Sequence, residues 1–232
     1  MNWVFSNVEL ILSLTVTHAY LSAIPIVLSF VLSVPLGWLA NRFRLTRGVL
    51  LTVGGLLYTI PSLPLFIFLP ALTGTQITDP INVEIGLTIY GVALLLRTTA
   101  DGLRGIDPDI LQSASAMGYS GVQRFFRVEF PLSGPVLLSG LRVVSVSTVS
   151  LLTIGSAVGV TSLGYLFING FQRNIPAEVL TGIVMVVVIA LIFDGILVLL
   201  GRLLMPWTRR DRVAQARSRG EATALTAGGA SA

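Results

Sequence analysis

A chain of 232 residues that is 53% hydrophobic and only 11% charged, with a mean hydropathy of +0.86, lies outside the soluble range of about half apolar and a quarter charged. A helix needs about 20 mostly apolar residues to cross a bilayer, so this length accommodates roughly four to six spans and leaves no room for a nucleotide-binding or ligand-binding domain. All 15 basic residues are arginines set between the apolar runs rather than in a soluble basic patch, which argues against nucleic acid as a partner, and the lack of cysteine removes disulfides and thiolate chemistry.

Residues 1–16 carry no basic residue, unlike a secretory signal, and are expected to form an extracytoplasmic or interfacial lead-in to an uncleaved first span. That span covers about 17–40, includes Pro25 and Pro35, and ends at Arg42, Arg44 and Arg47. A second span, 48–72, is interrupted by Pro61, Pro64 and Pro70. Such breaks are tolerated in a membrane where neighbouring helices or water satisfy the freed carbonyls, so this helix is expected inside a bundle. After a polar stretch, a third span covers about 84–97, a loop about 98–131, and two further spans about 132–158 and 179–205. Residues 159–178 are too polar to span and too apolar for a solvated loop, as a re-entrant or interfacial piece would be. Residues 207–232 read as a basic end with a disordered tail of small residues.

With five spans, one side receives Arg42, Arg44, Arg47, Arg97, Arg104, Arg124, Arg127 and the C-terminal cluster, and the other only Arg173. Short cytoplasmic loops carry the basic excess. The N-terminus is therefore expected outside and the C-terminus in the cytoplasm.

The loop 98–131 is long for a connector between membrane helices. Asp107-Pro108 supplies an N-cap and a first-turn proline, and Ile110, Leu111, Ala114 and Met117 recur at helical spacing as an apolar stripe closed by Gly118. A second short helix is expected from Ser120 to Pro131, apolar at Val122, Phe125, Phe126 and Val128 and polar at Gln123, Arg124 and Arg127. Two such helices around a glycine turn suit either docking of a soluble partner or an amphipathic segment on the lipid surface.

This loop resembles the coupling loop of ATP-binding-cassette (ABC) importer permeases, which reads Glu-Ala-Ala, three residues, Gly, nine residues, Ile, one residue, Leu-Pro. Here Gln112, Ser113, Ala114, Gly118, Val128, Phe130 and Pro131 occupy those places. The resemblance runs from about His18 to Arg210 and is closest to permeases for glycine betaine, carnitine and choline. Val34-Pro35-Leu36-Gly37, Thr59-Ile60-Pro61-Ser62-Leu63, Leu96-Arg97-Thr98-Thr99 and Gly140-Leu141-Arg142 share that family's character, while Tyr165 stands where an acidic residue is common.

The resemblance implies an all-α, type I ABC importer permease-like bundle of about five membrane helices, in the plasma membrane of a prokaryote. It implies a non-catalytic subunit that binds no cofactor itself, with ATP and Mg on a cytoplasmic ABC ATPase that receives the loop at Gln112, Ser113, Ala114, Gly118, Arg124 and Pro131. A second permease subunit is implied, identical or, as the missing coupling glutamate hints, different. An external substrate-binding protein would deliver the small-molecule substrate.

Arg142 and Asp194 fall at matching depth, about 10 residues or roughly 15 Å from the cytoplasmic ends of their spans, and are expected to pair. That pair serves either to fix the bundle or to line a pathway. Aromatic faces attract quaternary ammonium ions, which makes Tyr58 and Tyr90, with the Pro61 break, candidates for the pathway, although aromatics near span ends are commonly interfacial anchors. His18, the sole histidine, is expected in an interfacial position. A different class of function is a secondary transporter or channel driven by an ion gradient. That reading lacks both a visible internal repeat and a use for the docking loop.

Overall fold

The computed structural model describes residues 2–207, and every regular element in them is helical. The tail expected to be disordered lies, apart from Trp207, outside the described residues. A short helix α1 (Asn2–Ser6) precedes α2 (Val8–Arg42). Residues 8–16 are the opening turns of α2, continuous with the first span, because no glycine or proline separates them from Thr17.

After the extended Phe43, the second apolar run divides into α3 (Arg44–Thr59) and α4 (Ser62–Thr73), which meet at 107°. The break has a local cause. Pro61 cannot donate to the Leu57 carbonyl and disfavours helix in the residue before it. Ile60 is accordingly extended, and its own N–H turns to that carbonyl at 3.4 Å.

Helix α5 (Pro80–Arg104) is longer than the apolar run 84–97. It starts inside the polar stretch because Asp79 caps it, accepting from the Ile81 N–H at 3.0 Å, with Pro80 at the first helical position. Asn82, fully buried, organises the preceding loop: its Oδ1 accepts from Thr73 and Thr75, and its Nδ2 donates to the Gln76 carbonyl.

Two short helices follow, α6 (Pro108–Ala116) and α7 (Gly121–Arg124), then a π-helical turn (Phe125–Glu129) that runs directly into α8 (Phe130–Gly155). A 3₁₀ turn (Ser156–Val158) leads to α9 (Gly164–Gln172), which folds back on α10 (Pro176–Leu204). Four helical runs, Val8–Arg42, Pro80–Arg104, Gly121–Val158 and Pro176–Leu204, are long and apolar enough to cross a membrane, and the bent α3–α4 pair makes a fifth.

Helix α5 is the centre of the bundle, packed on α2 and α8 with α3 and α4 at its flanks. Small residues set these distances. A Cβ at Gly91 of α5 would collide with the Ser29 side chain of α2, one at Gly37 would lie 2.5 Å from Thr99 Cγ2, and one at Gly140 of α8 would lie 2.7 Å from Thr98 Cγ2. Lipid tails are as apolar as leucine, so membrane helices associate through such close packing rather than through the hydrophobic effect.

His18 does not sit at an interface with solvent. It is fully buried, its Nδ1 accepting from the Leu163 N–H at 3.3 Å and its Nε2–H donating to the Val149 carbonyl at 3.0 Å. The ring joins α2 to α8 and to the turn before α9, giving the Leu163 N–H a partner in an apolar interior while its own N–H is taken up by a carbonyl inside α8.

Overpacking a tight contact costs about 1–3 kcal/mol. Gly91→Ala is expected to lower the thermal midpoint of the detergent-solubilised protein, and Ser29→Gly on the same chain to restore most of the loss. Additive destabilisation in the double variant would show that this contact does not set the α2–α5 distance.

Candidate coupling loop and transport site

The loop between α5 and α8 is built by local hydrogen bonds. Asp107 accepts from the Asp109 N–H at 2.9 Å and starts α6. Gly118 ends the turn at φ 84°, a left-handed conformation, with its N–H on Ser115 O and that of Tyr119 on Ala114 O. At Ser120 a reciprocal capping box forms: Gln123 N–H donates to Ser120 Oγ, and Ser120 N–H to Gln123 Oε1. The Ser-x-x-Gln spacing is the signature of this box in the sequence.

The second helix does not stop at Pro131. It widens into the π turn, where the Phe130 N–H reaches five residues back to the Phe125 carbonyl, and continues as α8. Pro131, next in line, has no N–H, so the change of pitch falls where the hydrogen-bond ladder is interrupted in any case.

The expected apolar stripe of α6 faces two ways. Ala114 is buried and Leu111 packs on the cluster of Leu103, Ile106 and Phe125, whereas Ile110 is exposed and Met117 is 70% exposed. Gln112, Ser113 and Gly118 are also exposed. On the second arm Val122 and Phe126 point outward while Phe125 is buried edge-on against Trp38, ring centres 5.9 Å apart.

Arg124 ties the arms together. Its Nη1 donates to Ser115 Oγ of α6 at 3.0 Å and its Nε to Glu129 Oε1 of the π turn at 2.8 Å. Glu129 and Ser115 went unnoticed in the sequence, where nothing at their spacing sets them apart.

Within the membrane-spanning helices, Arg142 of α8 and Asp194 of α10 meet in a two-pronged contact, Nε to Oδ1 at 2.5 Å and Nη2 to Oδ2 at 2.8 Å. Their side chains are 44% and 28% exposed on the single chain, so the pair looks outward from this bundle. Ionisable groups at that depth are costly against lipid and normally face protein or a water-filled path.

Tyr58, Pro61 and Tyr90 gather at the α3–α4 bend. The Tyr90 ring is buried and its hydroxyl donates to the freed Ile60 carbonyl at 2.5 Å, so it serves the break itself. Tyr58, 44% exposed, stacks edge-on against Tyr90 with ring centres 5.8 Å apart. It is the member of the three whose aromatic face remains accessible.

A buried carboxylate was also missed. Glu178, in the first turn of α10, is fully buried; Oε1 accepts from Asn169 Nδ2 at 2.6 Å, and Oε2 has no partner among the described residues.

The chain is 30% identical over 207 residues to the glycine betaine/carnitine/choline transport system permease protein OpuCB of Bacillus subtilis, covering 89% of this chain and 94% of that one. It is 28% identical to the osmoprotectant import permease protein OsmW of Salmonella typhimurium, covering 85% and 93%. Among solved structures it superposes on a chain of the inward-facing MetNI methionine ABC transporter with a TM-score of 0.73 at 18% identity, covering 85% and 97%, a likeness of fold. Residues 33–206 match the model of the binding-protein-dependent transport system inner membrane component family. With the bent second span, the central α5 and the loop feeding α8 all inside that match, the chain belongs to the family of inner membrane components of binding-protein-dependent transport systems.

Proposed function

We propose that this chain is the membrane-spanning permease of an ATP-driven importer for a quaternary-amine osmoprotectant such as glycine betaine, choline or carnitine. The observation that carries the reading is the α6–α7 loop: a short capped helix that directs Ile110 and Met117 away from its own bundle while Arg124 braces it to the π turn that leads into α8. A helix lying on lipid would need no such brace. The substrate class is supported by the printed names of the relatives above.

In this reading a cytoplasmic ABC ATPase grips the loop around Gln112, Ser113, Ala114 and Gly118, with Arg124 and Pro131 setting how the loop meets α8. ATP and Mg act on that ATPase, and an external binding protein brings the solute. The clustering of arginines at one end of the bundle supports an N-terminus outside and a C-terminus in the cytoplasm. The outward-looking Arg142–Asp194 pair is covered by a second permease subunit, and the pathway runs between the two with the Tyr58 ring exposed to it. A cation over one aromatic face gains about 0.5–2 kcal/mol, enough for weak passage rather than tight capture.

Met117→Asp puts a charge on the docking face without touching the core. It is expected to reduce ATPase co-purification and ATP-dependent glycine betaine uptake in proteoliposomes at least tenfold, with the thermal midpoint of the isolated chain unchanged. Gly118→Ala, strained by its positive φ alone since a Cβ there meets nothing within 4 Å, should give a milder loss of the same kind. A wild-type chain that purifies without an ATPase and transports on an ion gradient would overturn the importer reading.

Removing one member of the ion pair leaves a charge unmatched, while removing both leaves an apolar contact. Asp194→Leu is therefore expected to lower the yield of assembled transporter severalfold, and Arg142→Leu/Asp194→Leu to restore it. If the double variant assembles but fails to transport, the pair acts in the pathway rather than in holding helices.

A further inference from the structure

At the arginine-rich end of the bundle, the last turns of α2 and α5, the start of α3 and the inner side of the α6–α7 loop enclose an open cavity of about 870 Å³. Arg42, Arg47, Arg104 and Arg124 all line it. Two of them are matched: Arg47 by Asp101 at 2.6 Å and Arg124 by Glu129 at 2.8 Å. Arg42 and Arg104 have neither a carboxylate nor any hydrogen-bond partner among the described residues. A cation in the last turn of a helix offsets the macrodipole, which accounts for one arginine on each helix but not for a cavity that gathers two from separate helices.

An apolar groove adjoins the cavity. Leu51 of α3 borders both, and the groove continues past Gly55 to Tyr58, with Ala93 and Leu94 of α5 as its other wall. From Leu51 to Tyr58 is about 10 Å along the helix, room for the upper part of an acyl chain. Arg97, likewise without a partner among the described residues, borders this groove, where a long stem can lie on apolar surface while its head reaches water.

An unmatched cationic cavity opening onto an apolar groove in a membrane helix complements one kind of molecule, an amphiphile with an anionic head. Guanidinium groups bind phosphate oxygens through paired, charge-assisted hydrogen bonds, and a zwitterionic headgroup would bring its own ammonium into the same cavity. We propose that this is a binding site for an anionic phospholipid, its phosphate on Arg42 and Arg104 and one acyl chain along α3 past Leu51 and Gly55, short of the Tyr58 ring. Pro108 and Leu111 of the loop line the same cavity, so the lipid would also steady the loop from its inner side. The site requires only that the chain spans a membrane, and it stands or falls separately from the importer reading.

The test is native mass spectrometry of the purified full chain, released from detergent with equal concentrations of palmitoyl-oleoyl phosphatidylglycerol and the matching phosphatidylcholine. Wild type is expected to retain phosphatidylglycerol at least tenfold over phosphatidylcholine, and Arg42→Gln/Arg104→Gln to bring the two level. Gly55→Leu keeps every charge and adds a side chain where a Cβ meets nothing within 4 Å; by filling the groove it should cut phosphatidylglycerol retention severalfold. This variant carries the test if the double arginine variant is not monodisperse. Arg173→Gln, in the turn between α9 and α10, should change nothing. Equal retention of both lipids by wild type, undiminished phosphatidylglycerol on the arginine or Gly55 variants, or its displacement by glycerol 3-phosphate at the same concentration would overturn the proposal, the last by making the site one for a soluble phosphate ester.

Discussion

The separation of α2 and α5 is the constraint from which the remaining geometry follows. In lipid, two helices gain little by merely touching, and the gain comes from backbones close enough for dense van der Waals contact. Gly91 against Ser29 and Gly37 against Thr99 permit that approach at two levels of the same pair. With α5 so placed, Gly140, tight against Thr98 and Leu95, brings in α8 against both helices. Helix α5 then carries the features that matter for function: midway along it the Tyr90 hydroxyl that stabilises the α3–α4 bend, and at its C-terminal end the connection into α6.

Polar groups inside this bundle are mostly spent on main chain. Ser22 and Thr99 return their hydroxyls to carbonyls four residues back, His18 bonds main-chain groups of two different elements, and Asn82 accepts from Thr73 and donates to the Gln76 carbonyl of the loop before α5. Each is a way of avoiding an unsatisfied dipole in a medium without water. The Arg142–Asp194 pair differs in kind, since it is matched within the chain yet looks out of it.

What the sequence made legible was whatever depends on local patterning or on a bilayer's thickness. The apolar runs located the spanning regions, Asp107-Pro108 and Gly118 bounded α6, and Arg142 and Asp194 stood out because charge is rare at their depth. What it hid was tertiary. The opening of α5 at Pro80 was masked by a polar composition that Asn82 later justifies by burial. The 107° bend could be suspected from Pro61, but neither its size nor the Tyr90 hydroxyl that reaches the Ile60 carbonyl from 30 residues away carries a local pattern. His18 looked peripheral because a lone histidine near a chain start carries no pattern, and its partners, Val149 and Leu163, lie more than 130 residues on. Along α6 the period identified an apolar face but could not divide it between Leu111, which packs inward, and Met117, which does not.

The π turn at Phe125–Glu129 holds one residue more than an α-helical turn of the same height. Each residue of an α-helix advances the side-chain direction by about 100°, and the wider turn absorbs the surplus residue, so residues up to Phe125 face where their successors would face in an unbroken α-helix. Drawn tight as an α-helix, the same stretch would take Phe125 out of the pocket beside Trp38 and turn Phe126 toward the bundle. The bearing of the loop is therefore set by the pitch of a single turn rather than by any one side chain. Deleting one residue inside that turn would close it and keep the aim, whereas winding the same five residues tight would turn the loop away.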